Sequence, residues 1–565
     1  MRDRRKKLPI GIENFETIIK EDYYYVDKTG LIADLIESGG LVTLFTRPRR
    51  FGKSLNMSML SHFFSPNTDK SIFEGLSIAH DTELCVKYMG QYPVISLSLK
   101  SICAADYDTA YRMAASLVRE AALDVYRQVK DCDELLPAER RELDALMQPS
   151  LDVDALYGSL YTLSGILHRS YNRKVVILID EYDVPLAKAW DLGYYDSMVL
   201  LIRNLFERSL KTNDHLQLAV LTGCMQISKE SIFTGLNNLK VLGTADARSD
   251  ESFGFTDQEV RELLTYYDLS DRYEEAREWY DGYRFGNVNV YCPWDVINFC
   301  DQLRCDPEAE PENYWINSSG NSIIRTLIEY SENASTMDDI EVLVNGGTIE
   351  KVIRQDLTYP ELYASNDNIW SVLYTTGYLT QKGRRSGNHF QLGIPNLEVR
   401  SIYAEQILTL FRENVYQDKG SMSKLWEMLE TGNVSGIEAS LNEYLSRTIS
   451  IRDTAVRKAL KENFYHGLLV GILSARDRWA VRSNSESGDG YSDIQVRDIS
   501  ARMAMVIEVK YADDGDMETV CLRALNQIDE MHYTENLRED GFDRILKYGI
   551  AFYKKRCRVM VGEEN

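Results

Sequence analysis

An apolar run, LVTLFT (Leu41–Thr46), leads without a break into RPRRFGKS (Arg47–Ser54), and SLNMSMLSHFF follows with apolar residues at helical spacing. A strand, a loop closing on Gly-Lys-Ser and a helix opening at that serine predict a parallel α/β layer with the loop at a strand's carboxyl end. Backbone N–H groups of such a loop, with the helix N-terminus, cradle phosphate. The usual phosphate loop reads G-x-x-x-x-G-K-[ST], and its first glycine would stand where this chain has Arg47. Gly52 remains where the backbone must come closest to a phosphate, and Pro48 stiffens the loop. Arg47, Arg49 and Arg50 are expected to add positive charge beside a triphosphate, with Phe51 and Gly52 completing the cradle. Lys53 is assigned to the β/γ-phosphates and the Ser54 hydroxyl to Mg²⁺. Gly-Lys-Ser is common by chance, so its weight comes from the flanking strand and helix.

A second feature supports the first. VVILIDEYD is a buried, β-branched run that ends on Asp180-Glu181. At the end of a neighbouring strand, Asp180 would hold Mg²⁺ and Glu181 would orient or deprotonate an attacking water. A buried strand that merely ends in an acidic turn fits the same residues. A further strand, HLQLAVLTGC, ends at Thr222, where ATPases with an inserted strand place a polar γ-phosphate sensor. Helical segments near 105–130 and 151–170 and a strand in YPVISLSL complete an alternation that argues for a parallel sheet.

At 565 residues the chain needs more than one core. The pattern divides it into an α/β domain (1–245), a mainly helical region (246–450) and a compact α/β unit (451–565). Within the second, IWSVLYTTGYLTQKGRRSGNHFQLGIPNLEV orders helix, hairpin and helix as a winged helix does, near 365–410. An ordinary hairpin packed on helices fits equally well. Hydrophobic residues are 44% and charged residues 27%, a globular rather than disordered balance. No apolar run approaches the roughly 18 residues of a membrane span, no secretory h-region follows MRDRRKK, and nine cysteines lack zinc spacing. A cytoplasmic protein with reduced thiols is expected. The net charge of −23 argues against non-specific coating of nucleic acid.

Near the C-terminus, GYSDIQV and MAMVIEVKYA read as adjoining strands. Side chains two apart share a face, so Glu508 and Lys510 point together, and a hairpin would bring Asp493 beside Glu508. Two such carboxylates repel unless a divalent cation lies between them. A lysine beside them can stabilise a hydroxide or developing phosphate charge. A solvated Glu–Lys pair is the plainer alternative, but this one lies in an apolar strand followed by a helix.

These stretches, with LPIGIENFETII, YYYVDKTGLI, SIFTGLNNL, FGFTDQEV, WYDGYRFG, ENFYHGLLVGIL and IEVKYA, resemble the bacterial AAA-ATPase-like proteins that carry a C-terminal PD-(D/E)XK nuclease-superfamily domain. In that family the loop is habitually R-P-R-R-F-G-K-S, so the missing glycine is the family's own form. The resemblance implies that Asp27 and Lys28 lie near the nucleotide and Asn237-Asn238 near the phosphates. It also adds Glu462 and Gln527 to the C-terminal site.

The expectation is therefore an ATP-binding, Mg²⁺-dependent ATPase joined to a nuclease-like domain that takes Mg²⁺ or Mn²⁺ at Asp493 and Glu508 and acts on DNA or RNA. Relatives of this kind assemble, with one subunit lending an arginine to the next; no membrane partner is expected. The alternative is a nucleotide-switched regulator or scaffold whose nuclease fold binds without cutting. His62 and His466 form no ligand set, Cys292, Cys300 and Cys305 lack a fourth ligand, and most of the 35 tyrosines should pack the interior.

Overall fold

A computed structural model describes residues 5–564 apart from 131, 133–134, 227–232, 234–237, 316–323, 325–326, 328–333, 345, 356, 363–364, 404–405, 407–418, 449–457, 475, 477, 488–489 and 555. The chain folds as two compact units, Met1–Ser319 with Glu350–Glu398, and Gly320–Ile349 with Val399–Asn565.

The first unit is built on an all-parallel sheet of β1 (Val42–Thr46), β2 (Val94–Ser98), β3 (Val175–Asp180), β4 (Leu216–Gly223) and β5 (Leu239–Leu242), in the order β2-β3-β4-β1-β5. Every residue of β1 and β3 is buried, as expected where helices cover both faces. Insertion of β4 between β1 and β3 decides the site. Register pairs Phe45 with Thr222 and Ile179 with Leu221, so the loop after β1, Asp180 and Thr222 emerge together at the carboxyl end of the sheet. Helix Lys53–Phe64 starts at Gly52, whose φ of +81° is the left-handed conformation glycine adopts without strain. The long helices Tyr107–Val129 and Val153–Tyr171 begin where Asp106 and Asp152 accept hydrogen bonds from the Thr109 and Ala155 N–H groups.

The stretch from 246 onward holds more strand than its sequence suggests. β6 (Phe255–Thr256), β7 (Tyr283–Phe285) and β8 (Val288–Tyr291) form a small sheet in the order β6-β8-β7. The β7–β8 hairpin turns at Gly286-Asn287, and its strands are too short to show alternation over a useful window. β9 (Ile349–Val352), β10 (Thr380–Ser386) and β11 (His389–Gly393) make another sheet, ordered β10-β11-β9. The expected helix (Asn366–Thr376) and hairpin are both there. However, β10 runs through KGRRS and the turn is confined to Gly387-Asn388.

One close approach fixes how these segments meet. Gly282 has φ +103°, and a Cβ there would lie 2.1 Å from the Pro395 carbonyl oxygen. Gly282→Ala therefore combines backbone strain with a backbone clash and is expected to cost on the order of 3 kcal/mol. A fall of several degrees in the thermal unfolding midpoint would show it, whereas an unchanged midpoint would refute the argument.

The second unit carries β12 (Ala480–Ser487), β13 (Gly490–Asp498), β14 (Met503–Tyr511), β15 (Arg544–Tyr553) and β16 (Arg556–Glu564), paired in that order. Only β14 and β15 run parallel, and helix Met517–Glu530 makes the crossover. The last strand, β16, pairs antiparallel with β15, Tyr553 opposite Arg556. Among the described residues no helix is long and apolar enough to cross a membrane. All nine cysteines are free.

Candidate nucleotide and metal sites

A cavity of about 540 Å³ opens beside the loop and takes atoms from Arg49, Arg50, Phe51, Gly52, Lys53 and Ser54. Lys53 is 5% exposed, and its Nζ donates to the carbonyls of Arg47 (3.1 Å) and Pro48 (2.8 Å). Phe51 is buried against Tyr283 and Phe285, ring centroids 4.9 and 5.0 Å away, and anchors the loop to the β6-β8-β7 sheet. Arg50, at φ +69°, lays its guanidinium 4.0 Å over the Trp294 ring.

Arg47 corrects the sequence reading. It adds no charge at the loop surface, because it is fully buried with its guanidinium 5.1 Å from both Phe253 and Phe285. Its Nη1 donates to the carbonyls of Thr46 and Leu242, each at 2.9 Å. Burial pulls its pKa down to about 10. The position of the lost glycine thus holds a core anchor, and its backbone needs no left-handed conformation.

At the carboxyl end of the sheet Ser54 Oγ donates to Asp180 Oδ2 at 2.6 Å, and Thr222 Oγ1 donates to Asp180 Oδ1. Loop, acidic strand and inserted strand therefore meet on one carboxylate. Glu181 lines the cavity from a strained left-handed turn, φ +51°, and burial raises its carboxyl above the usual range. The hydroxyl and carboxylate oxygens around Asp180 fit a hard cation. No three His, Cys, Asp or Glu side chains converge as a cage among the described residues. A cation held by few protein oxygens and completed by phosphate or water is the habit of Mg²⁺.

Lys28 also lines the cavity, paired with Glu259 at 2.7 Å. Asp27 does not. Its two oxygens accept from Thr29 N and Oγ1 and from Ser77 N, which secures the start of helix Gly30–Glu37. Asn238 also lies elsewhere, because Leu239 pairs with Val42 at the far end of β1, about 13 Å from Thr46. Its Nδ2 donates to the Leu210 carbonyl instead. Asn237 falls outside the described residues. Sequence reasoning missed the remaining wall: Tyr24, Lys100, Lys188, Phe255, Trp294 and Ile297 reach the cavity from distant segments. Only the aromatic clusters around them gave any signal.

Behind Arg50 lie two carboxyls that are 0% exposed, Asp295 and Glu398. Burial first, then each other's charge, holds the Glu398 carboxyl far above the usual range; burial also raises Asp295, against the pull of Arg50. Glu398 Oε1 accepts from the Trp315 N–H at 2.7 Å. Unfolded carboxyls lose their protons near pH 4, whereas the folded pair keeps one well above that. Folded chains then bind more protons than unfolded ones, so stability must fall as pH rises, by about 1.4 kcal/mol per unit for one group. Glu398→Gln is expected to flatten the decline of the unfolding midpoint between pH 5 and 9. Parallel curves would contradict it.

In the second unit, antiparallel pairing of Ile494 with Ile507 sets Asp493 next to Glu508. Asp493 Oδ2 accepts from the Val509 N–H at 2.8 Å, and its carbonyl lies 2.8 Å from His466 Nε2. Glu508 is 1% exposed; Lys510 Nζ donates to its Oε1 at 2.8 Å, while its buried Oε2 has no hydrogen-bond partner among the described residues. Burial, then the charge of Asp493, raises the Glu508 carboxyl to about 7. Burial works against the Lys510 ammonium, but Glu508, Asp493 and Glu462 outweigh it and raise its pKa. Glu462 Oε1 accepts from the Tyr511 N–H at 3.1 Å. Gln527, half-buried on helix Met517–Glu530, makes no hydrogen bond to these groups. The orphaned Oε2 beside a second carboxylate fits a divalent cation.

The comparisons with known proteins agree with this division. The family model described as Predicted AAA-ATPase matches residues 9–233, and that of the PD-(D/E)XK nuclease superfamily matches residues 460–562. An Azotobacter chroococcum mcd 1 protein, described as "Uncharacterized protein in vnfD 5'region", is 27% identical over 566 aligned positions, covering 99% of this chain and 98% of that protein. With the phosphate loop meeting the acidic strand in one unit and Asp493, Glu508 and Lys510 meeting in the other, the chain joins an AAA-ATPase-like region to a C-terminal PD-(D/E)XK nuclease-superfamily region.

Proposed function

We propose that the chain binds and hydrolyses ATP with Mg²⁺ at the loop site, and that its C-terminal domain is a metal-dependent phosphodiesterase acting on DNA or RNA. The observation that carries the first half is the junction of Ser54 and Thr222 on Asp180, with Lys53 and Glu181 lining the same cavity. Lys53 leaves the two loop carbonyls to meet the β/γ-phosphates. Burial raises the Glu181 carboxyl, which makes it a stronger base toward an attacking water than an exposed carboxylate. Mg²⁺, when bound at Ser54 and Asp180, would neutralise phosphate charge.

In the second half Asp493 and Glu508 would hold a divalent cation, and Lys510 is placed to support the charge that develops on the scissile phosphate. The cation would add Lewis-acid activation there. The test is phosphate release from ATP, together with cleavage of single- and double-stranded DNA and RNA, each with Mg²⁺ or Mn²⁺. Metal-dependent turnover and cleavage support the reading. ATP binding without cleavage of any substrate would leave a nucleotide-switched binder and overturn the second half.

A further inference from the structure

The arginines of the loop diverge. Arg47 goes into the core between two phenylalanines, and Arg50 lies over Trp294 on the Asp295 side of the cavity. Arg49 is exposed on the cavity wall and turns toward Cys224, Asp183 and Glu181, at the carboxyl ends of β3 and β4. Lys53 reaches the same thiol, Nζ standing 3.8 Å from Cys224 Sγ. Burial raises the pKa of that thiol and so disfavours a thiolate counter-ion there. Two cations thus converge on one thiol, on the side of the cavity that carries Glu181. Two cations on the cavity wall beside the carboxyl assigned to the water are placed to meet a phosphate whose charge develops there.

Two other cations of the cavity already have carboxylate partners. Lys28 pairs with Glu259 and Lys100 with Glu13, at 2.7 and 2.8 Å. We propose that Arg49 is a catalytic residue that stabilises the terminal phosphate of a nucleotide bound to its own chain, so that hydrolysis needs no arginine from a neighbouring subunit. This rests on the reading of the loop as an ATP-hydrolysing site. In the step, a water oxygen bonds to the γ-phosphorus while the bond from that phosphorus to the β,γ-bridging oxygen breaks. Glu181 takes the water's proton, and ADP leaves with the electron pair of the broken bond. Arg49 donates N–H bonds to the γ-phosphate oxygens, whose charge is dispersed most in the transition state.

An arginine in this role contributes about 10³–10⁵-fold to kcat. Arg49→Ala should therefore lower kcat about 10³-fold or more, with ADP affinity within about threefold of wild type. If the alanine variant fails to bind ADP, Arg49→Lys decides, retaining binding and losing at least about tenfold in kcat. Mixing Arg49→Ala chains with Lys53→Ala chains separates the two geometries. An arginine acting within its own chain leaves the mixture inactive, whereas one acting across subunits restores turnover and overturns the proposal. An Arg49→Ala chain that keeps its kcat also overturns it, while leaving the ATPase reading intact. A wild-type chain that never turns over ATP would overturn both.

Discussion

Lys53→Ala is expected to lower ATP turnover by about 10²–10³-fold, the size of losing one fixed donor at a site of developing charge. Lys53 is buried and bridges the carbonyls of Arg47 and Pro48, the first two residues of the loop, from the first residue of helix Lys53–Phe64. Its loss removes both the phosphate contact and a brace across the loop. The fold should survive, because Arg47 and Phe51 anchor the loop to the core independently of that ammonium. Phosphate release measured against ATP concentration, with the unfolding midpoint as control, checks this. Turnover within tenfold of wild type, in a variant of unchanged stability, would remove Lys53 from the site.

The second large effect is at the other domain, where Lys510→Ala should abolish cleavage of nucleic acid. Without that ammonium, Glu508 is a buried carboxyl beside Asp493 with no cation on its Oε1. Its pKa, already about 7, should rise further, and the cation must then displace a proton more firmly held. In the unaltered chain the same group predicts the pH dependence of metal binding. Below about pH 7 a proton occupies the site, so apparent affinity for Mg²⁺ or Mn²⁺ should fall about tenfold per pH unit. Above it, affinity should level off. In the absence of cation the raised carboxyl makes the fold less stable as pH climbs from about 4.5 toward 7, since the unfolded chain releases this proton first. Calorimetric titration of the cation between pH 5.5 and 8.5 follows the affinity. A flat profile would show that Glu508 does not hold it, and retained cleavage in Lys510→Ala would place the chemistry elsewhere.

Much of this molecule is written locally. Parallel strands covered on both faces must be apolar throughout, so VTLFT and VVILID announce themselves, and a helix that begins at a phosphate loop needs Gly52. The two-residue period of a strand put Glu508 and Lys510 on one face before any fold was known, and the hairpin register set Asp493 beside them. Tertiary structure decided the rest. Whether Arg47 faced phosphate or the core depended on Phe253 and Phe285, more than 200 residues away along the chain. Asn238 looked adjacent to the phosphates only until β5 placed it at the opposite end of β1. Asp295 and Glu398 became a buried pair, and Trp294 a partner for Arg50, through contacts with no periodic signature. Sequence periodicity records how one segment meets its layer. Which distant charges share a cavity, and which arginine of three can reach a terminal phosphate, is set by how the layers close on one another.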